Sequence, residues 1–129
     1  MKIFGLGTDI VNTRRFSSIL NRGNMSFKKR IYSKSEILLC EKRKDKTSCF
    51  AKRFAAKEAF SKSLGTGIAK GLNFTEIEVK KNDLGLPYFK IRGSSLKTVY
   101  KILKKKNFKV YLSLSDDKPF VVATVILCI

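Results

Sequence analysis

The chain has 129 residues, 43% of them hydrophobic, which fits one compact domain with a modest core. Its 28 Lys and Arg against 10 Asp and Glu give a formal net charge of +18, so an acidic partner is expected. No histidine is present, which excludes the commonest metal ligand and the usual general base at neutral pH. We therefore expect a single domain over residues 1–129 with one site built from carboxylates and lysines.

Cysteine usage and hydropathy bear on the compartment. Cys40, Cys49 and Cys128 show no CxxC spacing, which predicts reduced thiols and neither a disulfide framework nor a zinc site. The apolar run before Asp9 is too short for a signal-peptide core, and no run reaches membrane-spanning length. We expect a cytoplasmic protein that does not enter a membrane.

The first third of the chain predicts a strand and two helices. Lys2–Val11 alternates small and apolar residues, which indicates a strand with Asp9 close to its end. Two short helices follow at Thr13–Leu20 and Ser26–Ile31, separated by a turn at 21–24.

Two further helices are predicted in the middle of the chain. Ser33 is followed three residues later by Glu36, the spacing of a capping box, so a helix begins near Lys34. An Ala- and Lys-rich helix covers Ser48–Leu64 and ends at Gly65, the residue best suited to a left-handed helix terminus.

The C-terminal half predicts a hairpin, a helix and a second hairpin with an Asp- and Pro-containing turn at 116–119. These elements are Phe74–Lys80, Pro87–Ile91, Ser95–Lys105, Phe108–Ser115 and Phe120–Leu127. The order of elements predicts an α+β fold in which helices pack on an antiparallel sheet.

Two carboxylates are in unusual positions. Glu58 lies in the apolar stripe of its helix, where it forms either an ion pair with Lys62, worth about 0.3–0.5 kcal/mol, or a ligand facing a cleft. Spacing alone favours the ion pair. Asp9 interrupts an apolar strand, either as a turn cap or as a ligand. Together they suit Mg²⁺, whose octahedron substrate phosphates would complete.

The segment Gly65-Thr66-Gly67 offers unshielded backbone N–H groups to a phosphate, with Lys62 and Lys70 nearby. The alternative is an ordinary helix C-cap, and the dipole at this end of a helix disfavours an anion. Lysines would have to supply the attraction.

Two segments carry a family resemblance. Residues 5–11, Gly-Leu-Gly-Thr-Asp-Ile-Val, together with Arg15, resemble the first signature of the holo-acyl-carrier-protein synthase family. Residues 53–67, RFAAKEAFSKSLGTG, closely resemble the second, which is long and specific. Further similarity covers residues 72–79, 85–88 and 110–115, so the resemblance spans essentially the whole chain.

The resemblance implies transfer of phosphopantetheine from coenzyme A to a serine of apo-acyl carrier protein, in support of fatty acid biosynthesis, with release of adenosine 3′,5′-bisphosphate. It implies that Asp9 and Glu58 bind Mg²⁺ and that Lys62 stabilises the leaving phosphate. Glu58 or a metal-bound water would take the serine proton. Asp9, Glu58 and Lys62 are the expected catalytic residues. Coenzyme A would contact Arg53, Lys57, Ser61, Lys62, Gly65, Thr66 and Pro87.

The resemblance also implies two kinds of protein partner. An acidic carrier protein would dock on basic residues, for which Arg15, Arg22 and Lys28 are the candidates. The family forms homotrimers with active sites between subunits, so Asp9 and Glu58 would share a cleft with a neighbouring copy.

One departure from the family pattern is evident. Relatives usually follow the Ser-x-Ser of the penultimate strand with His, where this chain has Asp116. Asp116 is a candidate coenzyme A residue, although an acid beside a polyphosphate is unfavourable unless it faces the metal or solvent. A degenerate relative that binds coenzyme A without transfer is therefore one alternative. A basic nucleic-acid-binding module, supported by residues 104–106 and nearby aromatics, is another.

Overall fold

The structure is a computed structural model that describes residues 1–65 and 70–129. In chain order its elements are β1 (Ile3–Asn12), α1 (Thr13–Ile31), α2 (Lys34–Glu41), α3 (Lys46–Leu64), a 3₁₀ turn (Phe74–Glu76), β2 (Ile77–Lys81), β3 (Pro87–Ile91), α4 (Gly93–Leu103), β4 (Lys109–Asp117) and β5 (Phe120–Cys128). The predicted α+β class with antiparallel strands is confirmed.

The strands form two antiparallel sheets. The larger has the order β1-β5-β4, and β2 and β3 form a separate hairpin. Along β5 every second residue is buried on the side that carries α3: Val121, Ala123, Val125 and Leu127. The opposite face of this sheet leaves large apolar side chains exposed: Leu6, Ile10, Tyr111, Phe120 and Ile126. This alternation assigns each strand residue to the helix side or to the outer face.

β1 and α3 approach each other to backbone contact at two glycines. A Cβ on Gly5 would overlap the carbonyl oxygen of Ser63, and a Cβ on Gly7 would overlap that of Ala59. Only glycine allows this approach, because any side chain would have to move the helix backbone away. The contact places residue 9 of β1 beside the middle of α3.

α1 corrects the prediction of two short helices, since it runs unbroken through the predicted turn at 21–24. Phe16 and Leu20 are buried on one side of it, and Phe27 packs on the same core. The rings of Phe16 and Phe27 lie 6.1 Å apart, and Phe54 of α3 lies 5.2 Å from Phe16. This packing of an apolar face outweighs the low helix propensity of the Gly-containing segment.

Several element limits also differ from the prediction. Phe74–Glu76 is a 3₁₀ turn and not the beginning of a strand, because Asn73 caps it through the Thr75 N–H. Asp116 and Asp117 end β4, so the turn between β4 and β5 is shorter than predicted. The capping box of Ser33 and Glu36 and the left-handed terminus at Gly65 are confirmed.

The cysteines correct a second prediction. Cys40 at the end of α2 and Cys49 at the start of α3 form a disulfide, with Cα atoms 5.4 Å apart. The tight connection at 42–45 brings them together although they are nine residues apart in sequence. Cys128 is a free, buried thiol.

No helix among residues 1–65 and 70–129 combines the length and the apolar character needed to cross a bilayer.

Candidate functional site

Three predicted catalytic side chains meet across the contact between β1 and α3. Asp9 lies on the helix side of β1, and Glu58 and Lys62 are one turn apart on α3. The Lys62 ammonium donates to Asp9 Oδ1 at 3.2 Å and to the carbonyl of Thr8 at 2.9 Å. An ammonium has three protons, so Lys62 keeps one for another acceptor. Its ion pair is therefore with Asp9, and not the helix pair with Glu58 that spacing favoured.

Glu58 is electrostatically unusual. Partial burial and then the neighbouring Asp9 carboxylate raise the pKa of Glu58, and Lys62 offsets only part of this. A divalent cation relieves a carboxylate whose charge is disfavoured by burial and by a neighbouring carboxylate. Within the described residues no three or more His, Cys, Asp or Glu side chains form a metal cluster. The pair thus fits Mg²⁺ bound jointly with substrate phosphates rather than an all-protein cage.

Lys57 was predicted to contact coenzyme A, and the structure places it in the core instead. Its side chain is 0% exposed. The ammonium donates to Glu36 Oε1 at 2.6 Å, to the carbonyl of Ile31 at 2.8 Å and to that of Phe74 at 2.8 Å. All three protons are used, so Lys57 has none left for a phosphate.

Arg53 lies at a second polar location. It is 4% exposed, and its Nη1 donates to the Cys49 carbonyl. Its Nε is buried without a hydrogen bond, and the Glu36 carboxylate lies 4.0 Å away as an ion-pair partner. A buried, unsatisfied charged donor is costly unless something binds it. The adjoining cavity has a volume of about 290 Å³. Its lining includes four cations: Arg43, Arg53, Lys80 and Lys81. We call it the cationic cavity; its charge suits a phosphate, and the contact of Arg53 with coenzyme A stays a prediction.

The remaining predicted coenzyme A residues are dispersed. Ser61 is fully buried, and its hydroxyl donates to the Glu58 carbonyl within α3. Gly65 is an exposed helix terminus with open space around it. Pro87 begins β3 and is half-buried. Asp116 is exposed at the end of β4 and paired with Lys52. Thr66 lies outside the described residues.

Asp9 and Asp116 occupy opposite edges of the three-stranded sheet. β1 and β4 flank β5, and Asp9 and Asp116 pair with Ala123 and Val121 of that strand. Around α3, Arg53 is about 140° from Glu58, since successive helix residues turn by about 100°. The carboxylate pair and the cationic cavity therefore face different directions within one subunit.

α1 carries the basic residues predicted to dock a carrier protein. Arg15 and Arg22 are exposed and seven residues apart, which puts them on one helix face. Lys28 is on another face, where it pairs with Glu41 at 2.7 Å and lies over the Phe50 ring. Lys29 continues the seven-residue spacing and is exposed. Arg15, Arg22 and Lys29 therefore form one exposed basic face, and the fold already engages Lys28.

Comparison with known proteins gives one consistent result. Residues 5–125 match the model of the 4'-phosphopantetheinyl transferase superfamily. The chain is 48% identical over 127 residues to the holo-(acyl-carrier-protein) synthase of Pelagibacter ubique, covering 98% of both proteins. The crystal structure of the Neisseria meningitidis synthase superposes with a TM-score of 0.85 at 35% identity, covering 97% of this chain and 98% of that one.

A Helicobacter pylori synthase, whose structure is a complex with coenzyme A, superposes with a TM-score of 0.78 at 32% identity. The superposition covers 95% of this chain and 98% of that one. These similarities confirm the family resemblance inferred from the two sequence signatures.

A Lys57→Met substitution tests whether Lys57 is a core residue or a ligand of the substrate. It leaves the Glu36 carboxylate buried without its closest cation, and we expect it to reduce the free energy of unfolding by about 3–5 kcal/mol. Urea denaturation measures this loss. Lys97→Met on the exposed side of α4 is the control and should stay within about 0.5 kcal/mol of the native protein. A variant of native stability with weakened nucleotide binding would instead make Lys57 a ligand.

Proposed function

The chain belongs to the 4'-phosphopantetheinyl transferase superfamily, and we propose that it transfers the 4'-phosphopantetheine group of coenzyme A to a serine of an apo-acyl carrier protein. The products are holo-acyl carrier protein and adenosine 3′,5′-bisphosphate. We place this reaction in the cytoplasm, in support of fatty acid biosynthesis. The observation that carries the proposal is the meeting of Asp9, Glu58 and Lys62 at the β1–α3 contact.

Glu58 is the proposed general base. The serine hydroxyl attacks the β-phosphorus, its proton passes to Glu58, and the bond from that phosphorus to the bridging oxygen breaks. To take this proton Glu58 must be ionised, and a cation beside it would offset the burial and the Asp9 charge that raise its pKa. The electron pair of the broken bond remains on adenosine 3′,5′-bisphosphate.

Lys62 is the proposed partner of the leaving group. Two of its protons hold the Thr8 carbonyl and Asp9, and the third is directed by these two contacts. A fixed ammonium stabilises charge on the departing phosphate without having to reorient during the reaction. Lys62 and the buried Lys57 thus have different roles although they are five residues apart.

Mg²⁺ is the proposed cofactor, held by Asp9 and Glu58. When bound, it would neutralise charge that develops on the phosphoryl oxygens. Support comes from Glu58, whose pKa is raised by partial burial and by the Asp9 carboxylate, because a bound cation would favour its ionised form.

Coenzyme A has two anionic groups, a pyrophosphate and a ribose 3′-phosphate. We assign the pyrophosphate to the Asp9–Glu58 edge and the 3′-phosphate to the cationic cavity around Arg53. Since these two locations face different directions in one subunit, we propose that two subunits of a homotrimer complete each site. The exposed apolar outer face of the sheet supports this, because a neighbouring copy would bury it.

The basic face of α1 is the proposed docking surface for the carrier protein. Arg15, Arg22 and Lys29 lie along it, with Ile19 and Met25 exposed between them. A surface that combines positive charge with small apolar contacts suits an acidic helical partner, since charge steers the encounter and apolar groups add contact. These residues have no ion-pair partner within the described part of the chain.

A basic nucleic-acid-binding module is not favoured. That reading leaves the Asp9–Glu58 pair without a role. Two of the aromatic residues considered for base stacking, Tyr100 and Phe108, contact each other, with ring centroids 6.2 Å apart.

Transfer is tested by the mass of apo-acyl carrier protein after incubation with the protein, coenzyme A and Mg²⁺. We expect a gain of one phosphopantetheine group and a loss of at least about 100-fold in rate for Glu58→Gln, since general base catalysis contributes 10²–10⁴-fold. EDTA should abolish the gain and added Mg²⁺ restore it. A persistent absence of product with a cognate carrier protein, alongside intact coenzyme A binding, would identify a degenerate relative.

Subunit complementation tests the shared site. Trimers made only of Arg53→Gln subunits, or only of Glu58→Gln subunits, are expected to have little or no activity. Trimers mixed in equal parts should recover about one quarter of native activity, since a working site needs one intact contribution from each of two subunits. Activity is measured at low coenzyme A concentration after co-refolding. Recovery no greater than that of the separate variants would place both contributions in one subunit.

Charge reversal tests the docking face. The double variant Arg15→Glu/Arg22→Glu should raise the KM for the carrier protein by at least about tenfold at low salt and leave the KM for coenzyme A unchanged, because the steering charge acts on the protein partner alone. Lys97→Glu/Lys101→Glu, which reverses two exposed lysines of α4, makes the same change in net charge and is the control. Equal effects of α1 and α4 variants would show that total charge, and not this face, attracts the partner.

A further inference from the structure

The disulfide between Cys40 and Cys49 joins two walls of the cationic cavity. Leu39 and Arg43, which flank Cys40, line the cavity from the end of α2 and the connection after it, and the Arg43 N–H donates to the Cys40 carbonyl at 3.1 Å. Arg53, one turn after Cys49, lines it from α3. The disulfide is therefore adjacent to three lining residues.

Arg53 connects the sulfur of Cys49 to the cavity. Its Nη1 lies 3.2 Å from Cys49 Sγ, and its Nε faces the Glu36 carboxylate at 4.0 Å. Glu36 is already bound by Lys57 at 2.6 Å. A disulfide sulfur is an uncharged and weak acceptor, so it leaves the charge of Arg53 available to the cavity. A thiolate at the same place would accept a charge-assisted hydrogen bond from Nη1 and neutralise the guanidinium.

The charges around Cys49 favour its thiolate once the disulfide opens. Cys49 is in the first turn of α3, where the helix dipole stabilises negative charge, and Arg53 and Arg43 are the neighbouring cations. Tyr32 packs on Phe50 and stays neutral, since burial raises its pKa. The acids nearest along the chain are engaged: Glu36 by Lys57, Glu41 by Lys28, and Asp45 by the Ser48 N–H.

The two sulfurs differ in how easily a small thiol reaches them. Cys40 is 0% exposed and Cys49 is 8% exposed. The covering segment, residues 42–46, is short and exposed along its whole length. Attack therefore falls on Cys49. In the cytoplasm, where we place the reaction, a disulfide is usually transient and senses the redox state.

We propose that Cys40 and Cys49 form a reversible thiol switch, in which the reduced Cys49 thiolate binds Arg53 and withdraws its charge from the cationic cavity. The link to the cavity rests on the proposed function, from which it takes a nucleotide phosphate as the anion bound there. The reductant is a small dithiol, and a small-molecule disulfide reverses the change.

Reduction proceeds in two exchange steps. A thiolate of the dithiol attacks Cys49 Sγ, the bond between the two cysteine sulfurs breaks, and its electron pair passes to Cys40, which takes a proton. The second thiolate of the dithiol then attacks the reductant's own sulfur in the mixed disulfide and releases Cys49 as a thiolate. The dithiol leaves as a cyclic disulfide, so two electrons have passed to the cysteine pair. The second proton of the dithiol passes to water.

Thiol counting tests reversibility without any nucleotide. Oxidised native protein, denatured and alkylated, should show one modified cysteine by mass, and protein treated with dithiothreitol while folded should show three. Oxidised glutathione should return the count to one, with an unchanged circular dichroism spectrum. A count that stays at one would make the disulfide a permanent cross-link and overturn the switch, as would a reduced pair that oxidised glutathione does not close.

Binding of adenosine 3′,5′-bisphosphate tests the link to the cavity. Calorimetry compares the two redox forms at about pH 8, where a thiol of lowered pKa is ionised. Reduction should weaken binding at least about threefold, within the range of one lost hydrogen bond. Cys40→Ala leaves Cys49 as a thiolate and should bind like the reduced protein. Cys40→Ala/Cys49→Ala lacks both the disulfide and the thiolate and should bind like the oxidised protein.

The outcomes of this comparison are separable. Equal affinity of the oxidised and reduced proteins would contradict the link to the cavity. Equally weak binding by the reduced protein and both alanine variants would show that the cross-link, and not a thiolate, controls the cavity. If neither redox form binds the bisphosphate or coenzyme A, the proposed function fails, and the thiol count still decides whether the cysteines form a switch.

The contact between Arg53 and the thiolate has a test of its own. In the Cys40→Ala variant, the rate at which iodoacetamide alkylates Cys49 in the folded protein at about pH 7 reports the thiolate fraction. Adding Arg53→Gln should slow this rate at least about fivefold, because the thiolate loses its cation. Lys97→Gln removes the same charge from α4 and should change the rate by less than about twofold. A rate that Arg53→Gln leaves unchanged would contradict the ion pair.

Discussion

The buried pair of Lys57 and Glu36 organises the helical half of the molecule. Through Lys57 it joins α3 to the last carbonyl of α1 and to the 3₁₀ turn, and through Glu36 it joins α2 to the Val79 N–H of β2. Glu36 also closes the capping box with Ser33, so one carboxylate serves a helix start, a strand and a lysine. Such a network is favourable only because every partner is satisfied.

Although the protein has a net charge of +18, its acidic and basic groups are concentrated at different locations. Acids that suit a cation lie at the β1 edge, and four cations line the cavity where α2, α3, β2 and β3 meet. A nucleotide with two separated phosphate groups matches such a pattern better than a uniform polyanion does. In the proposed trimer a neighbouring copy would cover the apolar outer face of the three-stranded sheet, and the two locations would then belong to one site.

The sequence predicts elements well where one local signal decides them. The capping box at Ser33, the glycine after α3 and the strand Phe120–Leu127 each depend on neighbouring residues, and each is found. The break in α1 was wrong because distant aromatic packing holds that helix together. The sequence did not predict the burial of Lys57 or the disulfide between Cys40 and Cys49, because residue spacing does not show which side chains the fold buries or brings together. Lys52 and Asp116 are 64 positions apart, so no pattern could have joined them.

The glycine contact between β1 and α3 has a consequence for how this site can change over evolutionary time. Since main chain touches main chain there, the separation of Asp9 from Glu58 is set by peptide geometry and not by side-chain volumes. Residues elsewhere, residue 116 included, can therefore change while the distance between the two acids is kept. Gly5 and Gly7 are thus the two positions at which a substitution would move α3 and change this distance.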